Sequence, residues 1–131
     1  MSQITIWIVD DDPIYQIIVN KLILKSQLFL NVSSFKNGKD AIDEFKRRLD
    51  QKEALPSVIF LDINMPIMDG WEFMNEMVVL KNQIKEKIKI YIVSSSIALE
   101  DQSKALQYPE IISYLVKPLN NNDLTSIINN Y

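Results

Sequence analysis

The sequence predicts a single domain built on a parallel α/β sheet of five β-α units. Three observations predict it. Short runs rich in β-branched residues alternate with longer segments of helical period, the pattern of strands joined by crossover helices. Two of those runs, Ile4 to Val9 and Val58 to Leu61, are almost continuously apolar, as strands buried on both faces must be. The chain has 131 residues, 47% of them apolar, which is enough for one core and too little for a two-domain enzyme.

Each element can be justified in order. Ile4 to Val9 forms the first strand. Asp12 followed by Pro13 then suits a helix N-cap with proline at the first helical position, and Ile14, Ile17, Ile18 and Leu22 recur at helical spacing as its apolar stripe. Leu28, Leu30 and Val32 alternate with Phe29, Asn31 and Ser33 as a weaker strand at the sheet edge. Asn37-Gly38 turns into a helix that carries Ala41, Ile42, Phe45 and Leu49 on one face. A polar loop, Asp50 to Ser57, precedes the central strand Val58 to Leu61, which ends at Asp62. Asn64 to Gly70 reads as a loop leading to a helix with Met74, Met77 and Val78 inward, while Trp71 packs in the core or on the surface. Ile88 to Val93 is the fourth strand, Ala98 to Gln107 a short helix and Ile111 to Val116 the fifth strand, and Leu124, Ile127 and Ile128 mark a terminal helix.

Composition excludes several chemistries. Without cysteine there are no disulfides, zinc-thiolate sites or thiol nucleophiles. Without histidine there are no Ser-His or Cys-His triads, no His-ligated metals and no phosphohistidine on this chain. Fourteen Lys and Arg against seventeen Asp and Glu give a net charge of -3 with no basic block, so direct nucleic acid or anionic membrane binding lacks electrostatic support. No run reaches the roughly 18 apolar residues of a membrane span, and the start of the chain lacks a leader pattern, so a soluble, cytoplasmic protein is expected. With two glycines in all, Gly38 and Gly70, there is no Gly-rich phosphate loop.

In an open parallel sheet, ligands bind at the carboxyl ends of the strands where the chain order reverses. The first strand ends in Asp10, Asp11 and Asp12, the third in Asp62, the fourth in Ser94 and the fifth in Lys117-Pro118. Taken singly, each has an ordinary reading: a solvated acid run with a cap, a turn aspartate, a loop serine, a surface lysine. Together they put acids, a hydroxyl and an amine on one rim. Carboxylates about 4 Å apart repel by roughly 4 kcal/mol at an effective dielectric near 20, so such a cluster takes up either a proton or a cation. With oxygen ligands alone, the natural cation is Mg²⁺.

The strings Ile8-Val9-Asp10-Asp11-Asp12-Pro13, Leu61-Asp62-Ile63-Asn64-Met65-Pro66-Ile67-Met68-Asp69-Gly70, Ile92-Val93-Ser94-Ser95 and Tyr114-Leu115-Val116-Lys117-Pro118 resemble, in order and spacing, the receiver domain of two-component response regulators. The resemblance spans nearly all of residues 1–131 and is closest to the stand-alone, chemotaxis-regulator-like type without an output domain. It implies a flavodoxin-like, doubly wound, five-stranded parallel sheet in order 2-1-3-4-5 with helices on both faces. It further implies that Asp62 is the phosphoacceptor, supplied by a sensor histidine kinase or phosphotransfer protein. Asp11 and Asp62 would bind Mg²⁺ directly, Asp10 through water, and the backbone carbonyl of Asn64 would complete the protein ligands. Lys117 would pair with a phosphoryl oxygen, Ser94 would hydrogen-bond another, and Tyr114 would turn inward as Ser94 moves. The face of the fourth helix, fifth strand and fifth helix would carry the output to a downstream partner.

Two departures from the family pattern bear on that output. Ser94 stands where threonine is commoner, which loosens the expected coupling, and Tyr108-Pro109-Glu110-Ile111-Ile112 replaces the usual Gly-Ala before the fifth strand, which alters the expected shape there. Two other classes compete: a hydrolase using Asp62 as nucleophile on small phosphate esters, and a docking module that keeps the fold without the chemistry. Asn64 in place of a companion acid argues against the first, and the complete acid, hydroxyl and lysine set against the second.

Overall fold

A computed structural model describes residues 4–26 and 30–129. Five strands, β1 (Ile4–Val9), β2 (Leu30–Phe35), β3 (Val58–Leu61), β4 (Lys89–Ser94) and β5 (Ile111–Val116), form one parallel sheet in the order β2-β1-β3-β4-β5. Five helices connect and follow them: α1 (Pro13–Lys25), α2 (Gly38–Gln51), α3 (Gly70–Leu80), α4 (Leu99–Ala105) and α5 (Asn121–Asn129). This is the flavodoxin-like topology, and it places the reversal of chain order between β1 and β3.

The strand sequences alternate between two cores. Ile6, Ile8, Val58, Phe60, Tyr91 and Val93 face one side, where α1 and α5 bring Tyr15, Val19, Ile23, Leu124, Ile127 and Ile128. Trp7, Val9, Ile59, Leu61, Ile90 and Ile92 face the other, against Ala41, Ile42 and Phe45 of α2, Phe73, Met74 and Met77 of α3, and Ala105 of α4. With both faces covered, the three inner strands can be largely apolar, and β3 (Val58–Leu61) is so throughout.

Five sequence expectations need correction, the first being that the loop expected from Asp50 begins later, because α2 runs on to Gln51. The buried stripe of α1 is Tyr15, Val19 and Ile23 with Leu22 at its margin, whereas Ile14, Ile17 and Ile18 are 67%, 55% and 44% exposed. The helix is apolar on nearly every side, and the stripe through Ile14 and Ile18 runs on into the exposed Lys21 and Lys25, which cannot be buried unpaired. In α3 the buried positions run through Gly70, Phe73, Met74, Met77 and Leu80, which leaves Val78 43% exposed on the margin. The fourth strand lies one residue later than expected, so Ser94 is its last residue. The fourth helix is shorter than expected at both ends, with Ala98 as an N-cap that supplies no side-chain bond. The expected strand positions Leu28 and Phe29 lie outside the described residues; from Leu30 the strand is present, at the sheet edge.

The altered segment before β5 is absorbed by a bulge. Ile90 pairs with Ile111 and Tyr91 with Ser113, so Ile112 is left without a partner across the ladder and is half exposed. Tyr108 stacks on Trp71 at 5.8 Å and donates its hydroxyl to Asn75 Oδ1 at 2.7 Å, which ties this segment to α3.

Candidate functional site

β1 and β3 deliver two buried carboxylates side by side. The amide of Asp62 donates to the Val9 carbonyl at 2.9 Å and the amide of Asp10 to the Phe35 carbonyl at 3.0 Å, so each acid continues its strand by one ladder bond. Both are nearly inaccessible, Asp10 at 3% and Asp62 at 7%, whereas Asp11 is exposed. Asp12 turns away as the cap of α1, its Oδ1 accepting the amides of Ile14 and Tyr15. The sequence assigned it that part.

Buried charges need partners. Asp10 Oδ1 accepts the Asp12 amide at 2.9 Å, and its Oδ2 lies 2.8 Å from Lys117 Nζ. Asp62 Oδ1 accepts the Ile63 amide at 2.9 Å, and its Oδ2 lies 3.8 Å from the same ammonium. One lysine is thus shared by two acids, and Asp62 holds the longer share. Burial, and then the charge of Asp10, push the Asp62 carboxyl up to about 6, against the pull of Lys117 and the Ile63 amide. One oxygen from each of Asp10, Asp11 and Asp62 lies within 4.8 Å of the others, a hard, all-oxygen set that suits a divalent cation such as Mg²⁺.

Ser94 and Tyr114 enter through the neighbouring strands. The Lys117 amide donates to the Ser94 carbonyl at 2.9 Å, which fixes the end of β5 on the end of β4. Ser94 is buried, and its Oγ accepts the Ser96 amide at 3.1 Å. Tyr114 donates its hydroxyl to the Ser96 carbonyl at 2.8 Å. Ser96 in turn donates its hydroxyl to Asp101 at 2.6 Å, and Asp101 also accepts the indole N–H of Trp71 at 3.3 Å. Asn64 is exposed, in the loop two residues after Asp62.

A model of the response regulator receiver domain family matches residues 6–129. The chain belongs to that family. A response regulatory protein of Vibrio cholerae serotype O1 is 30% identical to this receiver domain over 118 residues, which are 89% of the chain and 40% of that protein. The chain spans less than half the length of the curated relatives it matches first. A two-component response regulator of Cytophaga hutchinsonii superposes with a TM-score of 0.86 at 29% identity, covering 98% of this chain and 97% of that one. The receiver domain of a Pseudomonas aeruginosa sensor histidine kinase, crystallised with a magnesium ion coordinated in its active-site cleft, gives a TM-score of 0.78 at 20% identity over 99% and 98% of the two chains. The likeness to that second structure is one of fold.

Three residues of the receiver domain's site were not singled out from sequence. Gln16 donates its amide to the carbonyls of Ile8, Asp10 and Phe35 at 3.0–3.2 Å and so bolts α1 to the ends of β1 and β2. Tyr15 places its ring 4.3 Å from Lys117 Nζ. Its phenol is pushed up to about 12, by burial first and then by the charges of Asp10 and Asp62, so the ring stays neutral. Gly70 packs its Cα against the backbone of Asp62 and Ile63, and its amide donates to the Ile63 carbonyl at 2.8 Å. The glycine was visible as a letter in the motif, but what it packs against is a tertiary fact.

Proposed function

We propose that this receiver domain is a phosphorylatable switch of a two-component phosphorelay, with Asp62 as the acceptor. The observation that carries the reading is the shared lysine: Lys117 Nζ stands between Asp10 Oδ2 at 2.8 Å and Asp62 Oδ2 at 3.8 Å at the point where chain order reverses. A carboxylate so held keeps a nucleophilic oxygen at the pocket, with an ammonium beside it to receive a phosphoryl oxygen.

In the transfer, an Asp62 oxygen forms a bond to phosphorus while the P–N bond of a phosphohistidine breaks. The bonding pair returns to the imidazole nitrogen of the sensor histidine kinase or phosphotransfer protein. Mg²⁺, held by Asp10, Asp11, Asp62 and the backbone carbonyl of Asn64, would supply charge stabilisation to the phosphoryl group. Lys117 would hold one phosphoryl oxygen and Ser94 another, so the protein contributes positioning and charge, and no histidine is needed on this chain. It would act on itself, assisting its own phosphorylation and dephosphorylation, as a cytoplasmic partner of its kinase. The output would be read on the α4-β5-α5 face, where Leu99, Leu106, Ile112 and Val116 stand exposed.

Incubation with Mg²⁺ and acetyl phosphate, followed by intact mass measurement, tests this. Wild type should gain one phosphoryl group that is acid-stable and base-labile, and Asp62→Asn should gain none. Equal labelling of the two proteins would remove Asp62 from the mechanism.

A further inference from the structure

We infer that Tyr15 is a positioning residue, whose ring face holds the ammonium of Lys117 at the acidic cluster; its consequence for phosphoryl binding rests on the reading of Asp62 as acceptor. Lys117 Nζ lies 4.3 Å from the centroid of the Tyr15 ring, and the side chain of Lys117 is only 14% exposed. Tyr15 is 7% exposed, so the contact is largely sheltered from water, where a cation over an aromatic face is held more strongly than at an open surface.

The ring's position is fixed by the acid run. Asp12 accepts the Tyr15 amide at 3.3 Å as the cap of α1, and Pro13 starts the helix, so Tyr15 stands on the first turn beside the end of β1. Lys117 comes from the opposite side, on the end of β5 held to Ser94. Between those two anchors a flexible four-carbon stem must be aimed. Asp10 and Asp62 aim it in part, but their oxygens are also the ones a divalent cation takes, and a second cation close by would repel the ammonium. A neutral ring attracts the ammonium without competing for either oxygen. It therefore keeps Lys117 in place when the acids are engaged elsewhere, which is when a phosphoryl oxygen needs it.

Two variants separate the ring from the bulk and the hydroxyl. Tyr15→Phe keeps the face, and Tyr15→Met fills comparable space without one. In the metal-free protein, the ε-methylene protons of Lys117 should show an upfield ring-current shift in wild type and Tyr15→Phe that disappears in Tyr15→Met. Calorimetry with Mg²⁺ and beryllofluoride should then give an affinity for the phosphate mimic about 5-fold weaker for Tyr15→Met, and within about twofold of wild type for Tyr15→Phe. Affinity for Mg²⁺ alone should change by less than about twofold in either variant, which also reports an intact pocket. No ring-current shift in wild type, or equal mimic affinity in Tyr15→Met and wild type, would overturn the inference. So would a Tyr15→Phe protein that behaves like Tyr15→Met, because the hydroxyl would then be the active part. If wild type shows the shift but neither binds the mimic nor takes up phosphate, the acceptor reading fails, while the placement of Lys117 by the ring stands.

Discussion

A Cβ on Gly70 would collide with the carbonyl oxygen of Asp62, so the first residue of α3 and the candidate acceptor touch backbone to backbone. The Gly70 amide completes the contact through the Ile63 carbonyl at 2.8 Å. Backbone obstructing a new methyl group cannot swing aside as a side chain can. Gly70→Ala should therefore destabilise the fold by about 1–3 kcal/mol in urea melts and weaken Mg²⁺ binding with it. At Gly38 a Cβ would meet the Met68 carbonyl at 2.8 Å and the flexible Met68 side chain at 2.9 Å. Wild-type stability and Mg²⁺ affinity in Gly70→Ala would mean that the loop after Asp62 yields freely.

Burial and Asp10 raise the Asp62 carboxyl from 3.8 to about 6, so the folded, metal-free protein holds that proton more tightly than the unfolded chain does. Its contribution to stability is greatest below the unfolded value and is lost as pH rises through about 6. The loss amounts to about 3 kcal/mol at about 1.4 kcal/mol per unit. Denaturant melts in chelator should show wild type losing stability across that window, while Asp62→Asn is flatter and the more stable of the two at pH 7. A wild type whose stability holds level from about pH 4 to about pH 7 would contradict this.

Asp11 and Asp12 are adjacent and both exposed, yet only Asp11 groups with Asp10 and Asp62, while Asp12 is occupied in capping α1. Asp11→Asn should cost roughly tenfold or more in Mg²⁺ affinity by calorimetry, since even residues that merely support a ligand often cost that much. Asp12→Asn keeps a capping oxygen and should change little. The reverse order would shift the assigned ligand by one residue.

Ser94 Oγ accepts from the Ser96 amide, and the Ser96 carbonyl accepts from Tyr114. Drawing the Ser94 hydroxyl toward a phosphoryl group removes the acceptor from Ser96 and so disturbs the seat of the Tyr114 hydroxyl. Beryllofluoride with Mg²⁺ should therefore move the amide resonances of Ala98 to Leu119, and Ser94→Ala should suppress that response without abolishing mimic binding. Mimic binding that leaves this stretch unmoved in wild type would place the output elsewhere.

Ile67 sits at φ 69 and is 78% exposed, a β-branched residue in the left-handed region with little burial to offset the strain. Ile67→Gly should stabilise the protein by about 0.5–1 kcal/mol, the relieved strain exceeding glycine's entropic cost. A melt showing a loss instead would mean that Ile67 earns its conformation by a contact.

The strands and the residues just past their ends were legible because a buried parallel strand must be apolar and must stop where charge begins. Asp10, Asp62 and Lys117 follow from that boundary alone, Ser94 closes β4 one residue beyond the expected end, and the topology then brings them to one rim. The face of α1 was not legible, because an apolar residue at nearly every position satisfies a helical period in more than one phase. The shift of β4 and the shortening of α4 were hidden for a related reason: Ser95, Ser96 and Ala98 carry no strong stop or cap. Gln16 reaching three carbonyls, Tyr15 under Lys117 and the Ser96-Asp101-Trp71 link join elements distant in sequence, and no local pattern announces them.

The shared lysine also sets an ionic balance. Three ionised carboxylates against one ammonium leave the cluster two negative charges in excess, the amount one divalent ion cancels. On the proposed reading, forming an acyl phosphate on Asp62 would exchange a group of one charge for a phosphoryl group of about two, tipping the balanced pocket to a negative excess of about one. That surplus would arise beside Asp10 and Asp62, both nearly closed to water, where solvent screens it poorly. Polar hydrogens on the β4 and β5 side can meet that excess, so on the proposed reading the sign of the imbalance would give the switch its direction: the loop beyond Ser94 would be drawn in, and the acids would stay where they are.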